Sequence, residues 1–333
     1  MMRKVVVTGG SGFIGAHLVR ALVTAGDAVV VIDNQLRGDA NRLHDIRAEL
    51  DMREIDVRDE DAVTEAVRGA DVVMHLAAVN GTENFYQQPE LVLDVGIRGA
   101  LAVVNACRRA DVPDLVVASS AEAYQTPTVI PTPETVPLML PDSLNPRYSY
   151  GGSKIISELI AMNYGRDHFR KLQVFRPHNV YGPRMGTKHV IPQLTLRIKE
   201  LMQQVGQGTV IDLPIQGTGQ ETRAFCYVSD AVQGILTMYE HGGHREIYHI
   251  GNDEEVTIEQ LANRIGRAMG VAIKTHGSDA PAGETSRRCP DISKMRKIGY
   301  APEVMLEEGV ALTVTDYLSE DSRPHQTYHN PLL

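Results

Sequence analysis

Short apolar runs alternate with segments of helical hydrophobic spacing through the first half of the chain. Most of the apolar runs lack a polar residue at every second position, as expected of strands covered by helices on both faces. The pattern is typical of an α/β fold with a doubly wound parallel sheet. The predicted strands are residues 5–8, 28–33, 53–56, 72–77, 114–119 and 173–176, and the predicted helices are 13–25, 60–68, 89–110 and 150–169.

The second half of the chain is organised differently, because glycine and proline break its segments after Pro177. We predict that residues 1–176 form the doubly wound domain and that a strand at 246–250 rejoins its sheet. Residues 177–320 are expected to form mainly a smaller lobe, and residues 321–333 a polar tail. Between residues 120 and 150, six prolines preclude a helix and indicate an ordered surface loop.

A glycine-rich turn follows the first predicted strand and opens the first predicted helix. Gly9 permits the tight turn, Gly12 lets backbone N–H groups approach a pyrophosphate, and Gly15 lets the helix pack closely on the strand. Asp33 ends the second predicted strand, where an acid binds the ribose of a dinucleotide. Because a carboxylate there repels a 2′-phosphate, the pattern favours NAD over NADP. The whole turn reads Gly9-Gly10-Ser11-Gly12-Phe13-Ile14-Gly15.

Three further segments are assigned to the same cofactor site. Asn34 follows Asp33 directly, and Asp56 with Val57 follows the third predicted strand, where a side-chain acceptor would hold the adenine amino group. A solvated loop acid is the alternative for Asp56. The fourth predicted strand ends in small residues that would let the backbone approach the cofactor, although packing alone also explains them; they are Leu76, Ala77 and Ala78.

Tyr150 and Lys154 stand four residues apart, which places them on one face of the predicted helix. A nearby cation lowers the pKa of a phenol, so this pair fits a tyrosine that acts as a base, although the same spacing is common by chance on surface helices. Tyr148 lacks a lysine at the same offset. Ser119 and Ser120 end the preceding strand, where ligands bind in open α/β sheets, although a turn or cap is the alternative role. Beside a dinucleotide site, these residues predict redox chemistry.

Composition and charge indicate which classes of binding partner and which cellular settings are disfavoured. The net charge of −9 argues against nucleic-acid binding, and the apolar runs are too short to cross a membrane. The N-terminus leads directly into a strand, without a signal-peptide core. The chain has three cysteines, far apart and odd in number, which indicates neither a disulfide framework nor a metal site and favours a reducing, cytoplasmic setting.

Taken together, these motifs resemble the extended short-chain dehydrogenase/reductase family. More narrowly, they resemble its NAD-dependent sugar-nucleotide epimerases, dehydratases and decarboxylases, so the resemblance implies a Rossmann domain followed by a substrate-binding lobe. The resemblance covers nearly the whole chain. It rests on residues 8–15, 75–78, 119–124, the Tyr150/Lys154 pair, 179–183, 223–230 and 288–294.

The resemblance also implies roles for individual residues. Ser120, Tyr150 and Lys154 match the catalytic triad of the family, and Ser119, Tyr150 and Lys154 also fall within its cofactor site. Pro177 and His178 match backbone that lies against the nicotinamide. The implied contacts of a nucleotide-diphosphate sugar are Asn179 and Arg223 at the diphosphate, Arg288 or its neighbour Arg287 at the nucleotide, and Val190, Ile191 and Gln216 at the base.

The resemblance leaves several reactions open. In the family, the tyrosine takes a hydroxyl proton while hydride passes to NAD, and the resulting ketone is then epimerised, dehydrated or decarboxylated. The 4,6-dehydratases carry an aspartic acid at the position of Ala121, which cannot protonate a leaving hydroxyl, so dehydration is disfavoured. Glu122 keeps a catalytic role in decarboxylation of a UDP-glucuronate type open, with a mere hydrogen bond near the nicotinamide as its alternative.

We therefore predict a C4 epimerase that acts on a nucleotide sugar. For His178, a packing or orienting role is favoured, with contact to the substrate or proton transfer as the alternative. A catalytically silent NAD sensor or scaffold is the alternative from another class, although such chains usually lack the tyrosine or the lysine that this sequence retains.

A homodimer is also predicted. The apolar surface covers about half of the predicted helix 150–169, which is broader than a core-facing stripe. Dimers of the family pair this helix and the one matching 89–110, while a deeply buried helix in a monomer is the alternative. The apolar residues are Ile155, Ile156, Leu159, Ile160 and Met162.

Overall fold

The computed structural model describes residues 2–205, 208–278 and 285–319. The chain divides into two compact units, and neither is continuous in sequence. The first unit contains Met1–Val180, Arg223–Glu255 and Thr285–Glu303, and the second contains Tyr181–Thr222, Val256–Glu284 and Val304–Leu333. The expected lobe 177–320 thus differs from the second unit, because two of its segments return to the first unit. The expected tail 321–333 lies outside the described residues.

The described strands and helices are numbered here in chain order. The strands are β1 (Lys4–Thr8), β2 (Ala28–Ile32), β3 (Leu50–Arg53), β4 (Val72–His75), β5 (Asp114–Ala118), β6 (Lys171–Pro177), β7 (Val180–Tyr181), β8 (Ile211–Gln216), β9 (Thr222–Ala224), β10 (Cys226–Tyr227), β11 (Glu246–Ile250), β12 (Glu255–Thr257), β13 (Ile273–Ser278) and β14 (Arg287–Arg288). The α-helices are α1 (Phe13–Thr24), α2 (Glu60–Val67), α3 (Thr82–Gln87), α4 (Pro89–Arg109), α5 (Ser149–Tyr164), α6 (Val190–Gln204), α7 (Val228–His241), α8 (Ile258–Ala268), α9 (Ser293–Arg296) and α10 (Leu306–Leu318).

A seven-stranded sheet forms the centre of the first unit, in the order β11-β6-β5-β4-β1-β2-β3. Its neighbouring strands are all parallel, which confirms the doubly wound α/β prediction. The strand at 246–250 does pair with β6, through Glu246–Ile250. The chain winds outward from β1 to β3 and then crosses back to β4, so the winding reverses between β1 and β4. In such sheets a ligand crevice lies at the carboxyl ends of the strands at this reversal.

Helices cover both faces of this sheet, which explains why its strands lack polar alternation. Val5 and Val7 of β1 pack with Leu18 of α1 and Ile235 of α7 in one apolar cluster. Val6 points to the opposite face and packs with residues of α2, α4 and α5 in a second cluster. Each fully buried valine or leucine contributes about 1.5–3 kcal/mol relative to an exposed one.

Several predicted boundaries are wrong by a few residues. β3 spans Leu50–Arg53 rather than 53–56, because that segment pairs in register with β2. The helix predicted at 150–169 is α5, Ser149–Tyr164, and it ends where Gly165 lets the ring of Phe169 pack closely and reach the core. The sequence analysis also missed α3 and a 3-10 helix at Ala40–Glu49, whose first turn is capped by the Asp39 side chain.

The second unit has its own small framework. Helices α6, α8 and α10 pack against one another, and β8 pairs in parallel with β13. The helix α8 begins with a capping box, in which Thr257 and Gln260 satisfy each other's backbone N–H groups. Among the described residues, no helix combines the length and apolar character that a membrane crossing requires.

Gly9→Ala is expected to destabilise the protein far more than Gly26→Ala. Both glycines have positive φ, 72° and 85°, so each substitution by alanine destabilises the fold by about 1–2 kcal/mol through the left-handed conformation alone. A Cβ at Gly26 meets nothing within 4 Å, whereas at Gly9 it would lie 2.7 Å from the backbone nitrogen of Ala77. Gly9→Ala must therefore also push the ends of β1 and β4 apart. Denaturant unfolding of both variants measures the difference, and equal losses would contradict this account.

Candidate active site

A cleft opens at the carboxyl ends of β1, β2 and β4, where the winding of the sheet reverses. The structure brings many of the predicted cofactor residues together around it. Those that line the cleft are Gly9, Gly12, Asp33, Asn34, Val57, Leu76, Ala77 and Ala78. Ile32, Leu36, Ile55, Val79 and Val95 add an apolar wall that the sequence analysis did not identify.

The glycine turn fits a pyrophosphate at the start of α1. The helix begins at Phe13, and its N-cap, Gly12, has no side chain to accept from the first N–H groups. The N–H groups of Phe13 and Ile14 lack partners within the helix, so they are available to an anion that also gains from the helix dipole. Gly15 is required because a Cβ there would overlap the carbonyl oxygen of Gly9. The turn therefore has the geometry of a dinucleotide site.

Asp33 is buried and held in a fixed orientation at the rim of the cleft. Its Oδ2 accepts from the N–H of Ser11 at 3.0 Å, and its Oδ1 accepts from the N–H of Gln35 at 2.9 Å. Burial raises the pKa of this carboxyl, and the two backbone hydrogen bonds act in the opposite direction. An oriented carboxylate at this point fits the 2′-hydroxyl of NAD and leaves little favourable room for a 2′-phosphate.

Asp56 is placed differently from its predicted role. Both of its oxygens accept hydrogen bonds from Arg58, and Oδ2 also accepts from Asn34. These bonds hold the pKa of Asp56 at about 2, although burial opposes them. Its neighbour Val57 is one of the described residues that line the cleft, whereas Asp56 is not. The predicted adenine contact at Asp56 thus competes with an existing ion pair.

The predicted catalytic residues meet at the end of β5. The Ser120 hydroxyl, which accepts from the N–H of Glu122 at 3.1 Å, lies near enough to the Tyr150 phenol to act on its pKa. The Lys154 ammonium donates to the carbonyl of Ala118 at 2.8 Å. The Nζ of Lys154 lies 5.7 Å from the centroid of the Tyr150 ring, which stacks on Phe85 at a centroid distance of 5.1 Å. Phe85 belongs to α3, the helix that the sequence analysis missed.

Burial affects the two titrating groups of this pair in opposite directions. It raises the pKa of the Tyr150 phenol, and the nearby Ser120 hydroxyl acts in the opposite direction. It also lowers the pKa of the Lys154 ammonium to about 8. The phenol therefore depends on nearby hydrogen bonds and positive charge to become a base at neutral pH.

A buried ion pair continues the same helical face. Glu158 follows Lys154 by one helical turn and pairs with Arg176 of β6 at 2.6 Å, with side-chain exposures of 6% and 3%. Glu158 also accepts from the hydroxyl of Ser119, so this serine orients the helix. Arg176 donates in addition to the Tyr124 hydroxyl. The sequence analysis missed this network. Its signal in the sequence is the recurrence of polar side chains at every fourth position of α5.

Glu122 forms an ion pair with Arg288 at 2.6 Å. Burial would raise the pKa of Glu122, but Arg288, Arg147 and Arg223 together bring it below its ordinary value. Arg287, in contrast, pairs with Glu255 and is half exposed. Of the two arginines between which the sequence left the choice open, Arg288 is therefore the one beside Glu122.

The remaining predicted ligand residues fall in both units. Asn179 donates to the carbonyl of Ala224 at 2.9 Å, and Pro177 ends β6 opposite Ile250. His178 is buried directly after Pro177. In the second unit, Val190 is half-buried, Ile191 is buried and Gln216 is exposed, and their contact with a nucleotide base stays a prediction.

Arg176→Met is expected to lower the free energy of unfolding by about 3–5 kcal/mol, because it leaves Glu158 buried without its cation. Arg166→Met is the matched control, since the Arg166–Asp167 pair is 61% and 85% exposed and its loss should change stability little. Urea titration of the two variants measures the difference. Similar small effects in both would show that the buried pair does not constrain the fold.

Comparison with known proteins identifies the family of the chain. Residues 5–251 match the model of the NAD dependent epimerase/dehydratase family. The chain is 29% identical to a putative UDP-glucose 4-epimerase of Methanocaldococcus jannaschii over 96% of this chain and 99% of the other. It is 27% identical to a UDP-N-acetyl-alpha-D-glucosaminuronate decarboxylase of Bacillus cytotoxicus, over 94% of this chain and 97% of the other.

Comparison with a solved structure shows that the overall fold matches as well. The dTDP-glucose 4,6-dehydratase DesIV of Streptomyces venezuelae, a double mutant with NAD bound, matches with a TM-score of 0.83 at 26% identity, over 95% of this chain and 97% of the other. These three proteins are named for three different reactions, whereas the family model that this chain matches is common to NAD-dependent epimerases and dehydratases. This chain belongs to the NAD-dependent epimerase/dehydratase family, within the extended short-chain dehydrogenases/reductases.

Proposed function

We propose that the protein is a nucleotide-sugar epimerase that inverts C4 of the sugar through a transient 4-keto intermediate. The observation that carries the proposal is the arrangement at the end of β5, where the Ser120 hydroxyl lies near the Tyr150 phenol and the Nζ of Lys154 lies 5.7 Å from the centroid of the same ring. This arrangement can remove a proton from a sugar hydroxyl, and the adjacent cleft fits NAD.

Each of these side chains has a defined task in the proposed reaction. Tyr150 takes the proton of the C4 hydroxyl and later returns it, while Ser120 holds the same oxygen by a hydrogen bond. Lys154 supplies positive charge that stabilises the phenolate. Bound NAD supplies the hydride acceptor, and the glycine turn with Asp33 would hold it. The sugar must then present its other face before hydride returns, which gives the C4 epimer.

The residue after Ser120 argues against dehydration. The side chain of Ala121 is buried and has no ionisable group, so it cannot protonate a leaving hydroxyl group. Without that acid, β-elimination from the keto intermediate lacks the group that completes it. Return of hydride is then the simplest fate of the intermediate.

Decarboxylation of a sugar uronate is the second candidate, and the Glu122–Arg288 pair favours it. A carboxylate held 2.6 Å from a guanidinium, with Arg147 and Arg223 nearby, creates local positive charge in a chain of net charge −9. Such charge suits an anionic substrate. The same arginines would serve the diphosphate of a nucleotide sugar, as we propose for Arg223 and Arg288 together with Asn179.

Incubation of the purified protein with UDP-, dTDP- and GDP-sugars, including UDP-glucuronate, should yield an isomer of unchanged mass. Mass spectrometry and NMR of the products separate the candidates, since loss of CO2 indicates decarboxylation and loss of water indicates dehydration. NAD should co-purify and free NADH should not accumulate, because the hydride returns within each cycle. Stoichiometric release of NADH contradicts the mechanism, and turnover of no sugar indicates an NAD sensor or scaffold.

In the same assay, Tyr150→Phe should lower kcat by about 10²–10⁴-fold, the usual contribution of a positioned acid or base. Tyr148→Phe is the matched control, since Tyr148 is equally buried beside the same helix but lacks a lysine four residues on. Both variants should retain NAD. An active Tyr150→Phe variant would remove the phenol from the mechanism.

We also propose a homodimer formed through α4 and α5. These helices pack against each other, and α5 keeps Ile156 and Leu159 exposed by 39% and 57%. Light scattering at micromolar concentration should give twice the chain mass, and Leu159→Glu should shift it toward the monomer. Control substitution of the exposed Leu312 of α10 to Glu should leave the mass unchanged. A monomeric mass for the unmodified protein rejects the dimer.

A further inference from the structure

His178 combines complete burial with an absence of hydrogen bonds to its ring. Its side chain is 1% exposed, and neither Nδ1 nor Nε2 has a partner among the described residues. The backbone is nevertheless fixed, because its N–H donates to the carbonyl of Ile250 at 2.9 Å. An unpaired buried polar group costs about 1–3 kcal/mol, and a histidine ring carries two such nitrogens.

Other buried histidines of the protein are paired. His249 contacts the Tyr124 hydroxyl through Nε2 at 2.7 Å and the carbonyl of Asp291 through Nδ1 at 3.2 Å. His75 contacts the Thr8 hydroxyl at 2.7 Å. In contrast to these two histidines, His178 is one of the few buried side chains with polar atoms that lack a partner among the described residues, and the Oγ of Ser149 and the Nε of Arg288 are others. Such atoms require an explanation, and a polar ligand would supply the hydrogen bonds that the ring of His178 lacks.

The position of His178 is the right one for a ligand of the active site. It directly follows the carboxyl end of β6, next to the end of β5 that carries Ser120. The close approach of its side chain requires Gly251, because a Cβ there would lie 3.1 Å from the Cβ of His178. Arg288, which pairs with Glu122, is close enough to act on the ring electrostatically.

The surroundings of His178 also define the chemistry of the ligand. The groups that face it are His249, whose ring centroid lies 4.6 Å away, and the guanidiniums of Arg288 and Arg176. Burial and these neighbours lower its pKa well below the ordinary value, so the imidazole is neutral. A neutral imidazole offers one donor and one acceptor, which complements a hydroxyl group. Phosphates and carboxylates are instead served by the arginines.

We propose that His178 is a sugar-binding residue, whose two ring nitrogens exchange hydrogen bonds with hydroxyl groups of the nucleotide sugar and so contribute to the choice of sugar. The proposal rests on the proposed function, because it requires a nucleotide-sugar substrate. It assigns His178 to binding and not to proton transfer, which stays with Tyr150.

The test compares His178→Phe with the unmodified protein, both loaded with NAD. Phenylalanine keeps the ring and removes both nitrogens. Calorimetric titration with UDP-glucose, UDP-galactose and UDP-N-acetylglucosamine should show about tenfold weaker binding of the sugars that the unmodified protein prefers, as expected for the loss of one or two hydrogen bonds. Binding of UDP alone and the NAD content should stay unchanged.

Thermal unfolding provides a readout that separates binding from packing. Removal of unpaired buried nitrogens should leave the melting temperature of the free protein unchanged or raise it, whereas a packing role predicts a lower one. His178→Gln keeps a donor and an acceptor and should recover part of the affinity for the sugar. His44→Phe, at a side chain 67% exposed, is the control and should change none of these quantities.

Three outcomes overturn the proposal. Equal weakening of UDP and UDP-sugars would move His178 to the nucleotide, and loss of NAD would move it to the cofactor. Unchanged sugar binding in His178→Phe would leave it a packing residue while the proposed function stood. Because the titrations need no turnover, an inactive protein that binds the sugars would contradict the proposed function and leave the sugar contact intact.

Discussion

Three contacts between one face of α5 and the end of β5 fix the geometry on which the active site depends. The Tyr150 phenol lies near the Ser120 hydroxyl, Lys154 donates to the carbonyl of Ala118, and Glu158 accepts from Ser119. The helical residues follow one another at every fourth position and meet three consecutive residues of the strand end. Helix and strand are thereby held in one register, which places the phenol beside its serine.

The same constraint explains why charged side chains are buried beside the site, although their loss of hydration is unfavourable. Glu158 has left water, so it requires Arg176, and Arg176 in turn occupies β6 and contacts Tyr124. Such pairs seldom add stability compared with an apolar core, but the loss of one partner strongly destabilises the protein. We infer that their value here is positional, because they hold the strand ends and the helix together around the reacting groups.

Electrostatics divides the site into two parts with different tasks. At the cofactor end, Asp33 is buried and accepts from backbone N–H groups, so the chain offers an oriented acceptor at the rim of the cleft. At the other end, Arg147, Arg223 and Arg288 surround Glu122. An acidic chain thus gathers positive charge at the place that we propose for the diphosphate of the substrate, while the neutral imidazole of His178 is suited to hydroxyl groups.

The sequence by itself determined the doubly wound sheet, the glycine turn with Asp33 and the Tyr150/Lys154 pair, because each depends on local spacing along the chain. It did not determine how Asp56 is used or which arginine faces Glu122, since these depend on neighbours such as Arg58 and Glu255. It also missed α3, whose Phe85 packs on Tyr150. Only the tertiary structure decided these matters, because ion pairing and burial join residues that are distant in sequence. The buried ring of His178, on which Arg176 and Arg288 act electrostatically, is an example.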